Sequence, residues 1–298
     1  MDETAASLAQ QVKERGMIEQ ILFPVDFSPF CEGMAGYVKR AAAMFNSRTT
    51  LLHVCSLESQ NGFELYVRGC DQEGIAKDHL DIAGRKLDSF LEADFPPGSC
   101  PRLVRSGDPA TEIAEAAKTG RFDLIIMPTH GGRFRRMLIS STTAKVLNDA
   151  DCPVLTTEHA SGQAPRPLEH REWACGISLD KPSEEHKGNE RMLRFASKAA
   201  TQIGARLSLI HVIPEMSGQQ AVHRVEALRR IDELKKAVGC DAVVQIVTGP
   251  VKEALLDAAR ELVADALIIG RPRSGDAGRL GDLTHGLVRD SLIPVVSV

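Results

Sequence analysis

The feature that most restricts the fold of this chain is that its 298 residues are written twice. Four landmarks of the first half return in the same order in the second. ILFPVDFS (21–28) is echoed by ACGISLDKPS (174–183), and TTLLHVCS (49–56) by ARLSLIHVIP (205–214). VRSGDPATEIAEAA (104–117) is echoed by IVTGPVKEALLDAA (246–259). FDLIIMPTHGG with DCPVLTT (122–132, 151–157) is echoed by ADALIIGRPRSG with LIPVVSV (264–275, 292–298). Each half therefore reads as five strands alternating with four helices. The strands are near-continuous Val/Ile/Leu runs, the pattern of a parallel sheet covered on both faces by helices. In the first helix Phe30, Met34, Val38, Ala41, Ala42 and Phe45 recur at three- and four-residue steps, with Ser28 as expected N-cap and Pro29 at the first helical position. The polar, Gly- and Pro-bearing stretch EHASGQAPRPLEHRE (158–172) reads as a linker. The expected domains are 1–160 and 165–298, the second a degenerate copy.

Composition narrows the function classes. A net charge of −4 and few aromatic residues (4%) give no electrostatic footprint or stacking platform for nucleic acid. No apolar run reaches the ~18 residues of a membrane span, and the first twenty residues are polar where a signal peptide has its apolar core. A cytoplasmic protein is expected. The seven cysteines form no C-x-x-C pair and are read as reduced thiols; the nine histidines form no H-E-x-x-H, and His53 and His211 lie within apolar strands. No metal site is expected.

In an open α/β sheet the ligand crevice opens beyond the carboxyl ends of the strands, where strand order reverses. Asp26 ends the first strand and Pro128 follows the fourth, so both reach that crevice if these strands flank the reversal. Ser140, Ser141 and Thr142 then start a helix, whose N-terminal amides and dipole attract phosphate.

At these residues the chain resembles the universal stress protein family in its tandem, two-domain form, from about residue 18 to the end. The resemblance implies two tandem five-stranded parallel α/β domains of the adenine-nucleotide-binding, Rossmann-like type. It also implies a stress-response regulatory protein with ATP, or a related adenine nucleotide, as ligand; Mg2+ is left open. Family members that bind ATP carry, after the fourth strand, Gly, two residues, Gly, nine residues, then Gly-Ser or Gly-Thr. In the first half these positions read Pro128, Gly131 and Ser140, the spacer is one residue short, and only Gly131 and the hydroxyl of Ser141 match. In the second half they read Gly270, Arg273 and Gly281, followed by Asp282.

A Cβ at Ser140 costs about 1–2 kcal/mol if the backbone there must be left-handed. Asp282 is worse, because a carboxylate near a triphosphate repels it by about 1 kcal/mol in water and by more in a partly closed site. Weak ATP binding is therefore expected in the N-terminal half alone. By the family pattern its residues would be Asp26 with Pro24 and Val25, Val54 and Met127 as apolar walls, which core packing explains equally well, and Pro128, Gly131, Ser140, Ser141 and Thr142 around the phosphates. Arg133, Arg135 and Arg136 are either a replacement anion clamp or a solvated basic loop, and Arg271, Arg273 and Arg279 pose the same choice. Asp26 equally well ties down its own strand-to-helix turn, as does Asp180, which Lys181 follows. His130 has no nucleophile or carboxylate partner at readable spacing, so no catalytic residue is assigned and at most slow ATP hydrolysis is expected.

Gly107-Asp108-Pro109 and Gly249-Pro250 read as structural turns into helices, and the long connection 56–74 as a lid or a loop. An enzyme of the same adenine-binding lineage would carry an S-G-G-x-D-S phosphate loop where this chain has PVDFSP. The remaining alternative is a scaffold that binds no nucleotide. The resemblance also implies pairing through the last strands, so PVLTT (153–157) and PVVSV (294–298) are expected to pair within the chain as a built-in pseudo-dimer, with a further homodimer left open.

Overall fold

The structure, a computed structural model, describes residues 16–56, 72–129, 139–157, 171–179, 184–215, 220–271 and 281–298. The first half runs β1 (Gln20–Pro24), α1 (Pro29–Phe45), β2 (Arg48–Cys55), α2 (Gln72–Ser89), β3 (Arg102–Ser106), α3 (Pro109–Thr119), β4 (Leu124–Pro128), α4 (Ser141–Asp149) and β5 (Val154–Thr157). The second repeats it as β6 (Glu172–Gly176), α5 (Glu184–Ile203), β7 (Arg206–Ile213), α6 (Gln220–Val238), β8 (Val243–Thr248), α7 (Val251–Glu261), β9 (Ala266–Ile269), α8 (Asp282–Asp290) and β10 (Val295–Ser297).

The ten strands of the described residues form one sheet in the order β3-β2-β1-β4-β5-β10-β9-β6-β7-β8. Within each half every pairing is parallel. The halves meet through β5 and β10, which pair antiparallel with Val296 opposite Leu155. That single antiparallel step reverses the direction of all strands beyond it. The carboxyl ends of the first-half strands therefore lie along one edge of the sheet, and those of the second half along the opposite edge. Order reverses between β1 and β4 in the first half and between β6 and β9 in the second, the switch points at which α/β crevices open.

The interior strands β1, β4, β5, β6, β9 and β10 are buried along almost their whole length, as their unbroken aliphatic runs require. The outermost strands β3 and β8 depart from the expected continuous burial, because each has a neighbour on one side only; Leu103 and Val243 are exposed.

Helices α1, α2, α5 and α6 cover one face and α3, α4, α7 and α8 the other. Each face carries apolar residues of both halves in one continuous core. At the junction Phe45 of α1 meets Trp173 of β6 edge-on, ring centroids 6.1 Å apart. Gln202 of α5 makes a second bridge: Oε1 accepts from the amides of Met17 and Ile18 at 2.8 and 3.1 Å, and Nε2 donates to the carbonyl of Phe45 at 2.7 Å.

The helix starts are chemically explicit. Ser28 caps α1 by accepting from the Cys31 amide, and Asp108 caps α3 by accepting from the Thr111 amide at 3.0 Å. Gly107 lies at φ 151°, and a Cβ there would come within 3.0 Å of the Glu112 side chain. The turn signal G-D-P thus fixes both a backbone conformation and a cap. Among the described residues no helix is long and apolar enough to cross a membrane.

Candidate functional site

The strand order puts the candidate crevice of the first half at the carboxyl ends of β1 and β4. β1 delivers Pro24 and Val25, both buried, to the edge of the sheet, and the exposed Asp26 follows at once. Asp26 Oδ1 accepts from the Ser28 amide at 3.0 Å and from the Cys31 thiol at 3.1 Å. The turn-fixing role of Asp26 is thus realised, while the carboxylate itself stays at the surface of the crevice. Burial, with the Asp26 carboxylate beside it, pushes the Cys31 thiol up to about 12, so this cysteine is an inert core group.

Phe27, next along, takes a left-handed backbone at φ 61°. Its ring stacks on His53 at a centroid distance of 4.2 Å, meets Phe90 edge-on at 5.1 Å and lies 4.2 Å beneath the Lys86 ammonium. These contacts lock a conformation that a non-glycine residue otherwise avoids.

His53 pins the same turn from β2. Its Nδ1 lies 2.8 Å from the Val25 carbonyl, which can only accept, so Nδ1 carries the proton and Nε2 keeps its lone pair. His211 does the same for Ile177 in the second half, at 2.9 Å. Sequence reasoning placed both histidines in apolar strands without a task; the signal that could have found it was their identical place in the repeat. Burial, reinforced by Lys86, lowers the pKa of His53 below its ordinary 6.5. The folded state therefore binds fewer protons than the unfolded chain just below pH 6.5. The contribution of His53 is complete above that pH and is lost as pH falls toward the depressed folded value. His53→Asn, which keeps an N–H for Val25, is expected to lower the melting temperature at pH 7.5 and to lose less stability than wild type between pH 7 and 5. A constant gap across that range would contradict the assignment.

β4 forms the other wall. Met127 is buried and faces the α3 and α4 layer, with Val54 of β2 partly buried on that same side. Thr129, also buried, accepts from the Ser140 amide at 3.2 Å. Ser140 is the N-cap of α4 at φ −60°, so the left-handed cost expected at this position does not arise; its Cβ sits on ordinary extended backbone. Ser140 Oγ accepts from the Thr143 amide at 3.0 Å and lies 2.7 Å from Thr143 Oγ1, which donates to the Pro128 carbonyl at 3.2 Å. Because a carbonyl only accepts, the Ser140 hydroxyl proton goes to Thr143 Oγ1. The network welds the end of β4 to the start of α4 and commits the Ser140 hydroxyl to structure.

Ser141 is exposed and Thr142 half-buried in the first turn. Helix geometry gives their amides no partner within the helix, and this turn carries no acidic residue. α8 has the opposite character: Gly281 offers no side-chain cap and the exposed Asp282 puts a carboxylate in the first turn. The second-half helix terminus thus carries its own anion.

The structure therefore brings Pro24, Val25, Asp26, Val54, Met127, Pro128, Ser140, Ser141 and Thr142 to one edge of the sheet. Gly131, His130, Arg133, Arg135 and Arg136 lie outside the described residues, as do Asp180, Lys181, Arg273, Arg279 and most of the 56–74 connection. Arg271 is neither an anion clamp nor a solvated loop residue. Its guanidinium donates to the carbonyls of Leu147 and Cys152 in the first half, at 2.6 and 2.8 Å. Among the described residues no group of three or more His, Cys, Asp or Glu side chains is placed to hold a metal.

Comparison with known proteins agrees with this architecture. The chain matches the model of the universal stress protein family over residues 17–157 and 183–298. A universal stress protein from Archaeoglobus fulgidus superposes with a TM-score of 0.67 at 22% identity, covering 93% of this chain and 97% of that one. A functionally unknown protein of Pseudomonas aeruginosa superposes with a TM-score of 0.61 at 17% identity, over 94% and 92% of the two chains. A universal stress protein A-like protein of Arabidopsis thaliana is 28% identical over 121 residues, which is 39% of this chain and 69% of that protein. At these identities the solved structures speak for the fold, and the family match spans both halves of the repeat: the chain belongs to the universal stress protein family, with two Rossmann-like halves in tandem.

Proposed function

We propose that this protein is a stress-response regulator that binds an adenine nucleotide weakly, ATP or a relative, in the crevice of its N-terminal half alone. The observation that carries the reading is the contrast between two equivalent helix ends. The first turn of α4 carries hydroxyls and no acid beside Asp26, whereas the first turn of α8 is already occupied by Asp282. In this reading Asp26 accepts from the sugar or base, Val54 and Met127 flank the base, and the amides of Ser141 and Thr142 receive phosphate oxygens. Gly131 and the arginines Arg133, Arg135 and Arg136 are assigned to the phosphates by the family pattern. The domain limits 1–160 and 165–298 belong to the same proposal, as does a cytoplasmic location.

A second reading, a scaffold without nucleotide, is favoured by one observation: Asp26 Oδ1 and the Ser140 hydroxyl are both engaged in holding the crevice walls.

Titration calorimetry with ATP, ADP and AMP separates the two. Nucleotide binding predicts one nucleotide per chain with sub-millimolar affinity, about −5 kcal/mol. Asp26→Asn, which keeps an oxygen for the Ser28 amide but removes the charge, should weaken it roughly tenfold. Tight binding indifferent to that change would overturn the site, and no heat at millimolar nucleotide would favour the scaffold.

A further inference from the structure

Arg271 follows β9 as Thr129 follows β4. The Arg271 amide donates to the Val298 carbonyl at 2.9 Å, and the Thr129 amide donates to the Thr157 carbonyl at 3.1 Å. Beyond the backbone the equivalence ends. The Arg271 guanidinium crosses the junction between the halves, Nη1 donating to Leu147 O at 2.6 Å and Nη2 to Cys152 O at 2.8 Å. Those carbonyls lie at the last turn of α4 and in the turn that leads into β5. A threonine is too short to make the reciprocal contact with α8, so among the described residues the strap runs one way.

A planar cation suits a helix C-terminus on two counts: it complements the negative end of the dipole, and its fork satisfies two carbonyls at fixed spacing. α4 has nine residues, a rod of about 13 Å. Its far end carries the Ser140, Thr143 and Pro128 network and the amides of Ser141 and Thr142 at the crevice. The second half thus grips one end of the helix whose other end forms the first-half crevice.

We infer that Arg271 is a positioning residue for the N-terminal crevice: through it the second half sets where the first turn of α4 stands relative to Asp26. The inference rests on the nucleotide reading for the identity of the ligand. It gives the degenerate half a task, because a shift at the end of β9 is passed to α4 and so to the affinity of the opposite edge of the sheet.

The test uses the full chain with Arg271→Ala and Arg271→Lys. Gln202→Ala serves as control, since it loosens the junction of the halves without touching α4. Two quantities are read: ATP affinity by calorimetry, and hydrogen exchange at the amides of Thr143 and Ala144. Arg271→Ala should weaken ATP roughly three- to tenfold and speed exchange at both amides. Arg271→Lys should recover part of each effect, and Gln202→Ala should produce neither. Faster exchange confined to Leu147–Ala150, or equal effects from Gln202→Ala, would overturn the inference. If the unaltered protein takes up no ATP, the nucleotide reading fails, and the exchange measurement still decides whether Arg271 positions the first turn of α4.

Discussion

Val296→Asp abolishes cooperative folding of the whole chain, not only of its second half. Val296 is 2% exposed and stands between Leu155 of β5 and Ile268 of β9. The residues that line the small cavity beside it, Leu124, Leu155, Trp173 and Phe195 among them, are apolar. Burying an unpaired charge belongs to the few mechanisms that cost more than about 4–5 kcal/mol, a large share of the 5–15 kcal/mol typical of a folded protein. Because β10 is also the only partner of β5 on that side, the loss spreads to the first half. Val296→Ala, which removes about 2 kcal/mol of burial, should melt earlier yet still in one step. Circular dichroism melts of the two variants check this. A Val296→Asp protein that keeps a folded first half with its own sharp transition would show that the halves are stable independently.

The second large effect is expected at Trp173. It is 2% exposed, belongs to β6, and packs edge-on against Phe45 of the other half. The ring lines a cavity of only about 10 Å3 together with Ile18, Tyr37 and Phe195, so the surroundings are already close-packed. Trp173→Ala should cost about 3–5 kcal/mol through lost contacts and the void left behind, and Trp173→Phe less than half of that. As this is the only tryptophan, the unfolding must be followed by circular dichroism instead of intrinsic indole fluorescence. A loss below about 1 kcal/mol for the alanine variant would mean that the junction repacks around the gap.

Much of the fold could be read from local pattern. The repeat gave the order of elements, and Ser28, Pro29, Asp108 and the G-D-P turn marked helix starts that act within three residues. The pairing of β5 with β10 was an implication of the family resemblance, since two short apolar runs alone do not name their partner. What escaped were relations set by tertiary geometry. Cys31 and Tyr37 are buried in α1 where the periodicity pointed to Phe30 and Ala42, which are only half-buried: the Cys31 thiol turns in toward the Pro24 carbonyl and Asp26, and Tyr37 lines a small cavity with Trp173 and Phe195 of the second half. The lone-looking β3 and β8 are exposed because position in the sheet, not composition, decides how many neighbours a strand has.

The candidate site was legible in part for the same reason. Asp26 and Ser140 stand where the sequence pattern put them, just past β1 and at the N-cap of α4. That Ser140 sits at an ordinary φ of −60° depends on the loop before it and could not be read from a missing glycine. The task of His53 needed the register of β2 against β1, which places its ring under the Val25 carbonyl. Arg271 acts 124 positions away from Leu147, beyond the reach of any local motif.

The central claim is that one half of this tandem protein holds a nucleotide and the other does not. A crystal structure of the full chain grown with millimolar ATP tests it most directly. The account predicts nucleotide density at the first-half edge, its phosphates over the first turn of α4 and its base or ribose within hydrogen-bonding distance of Asp26, and none beside Asp282. Density in the second-half crevice, or at both edges alike, would contradict it.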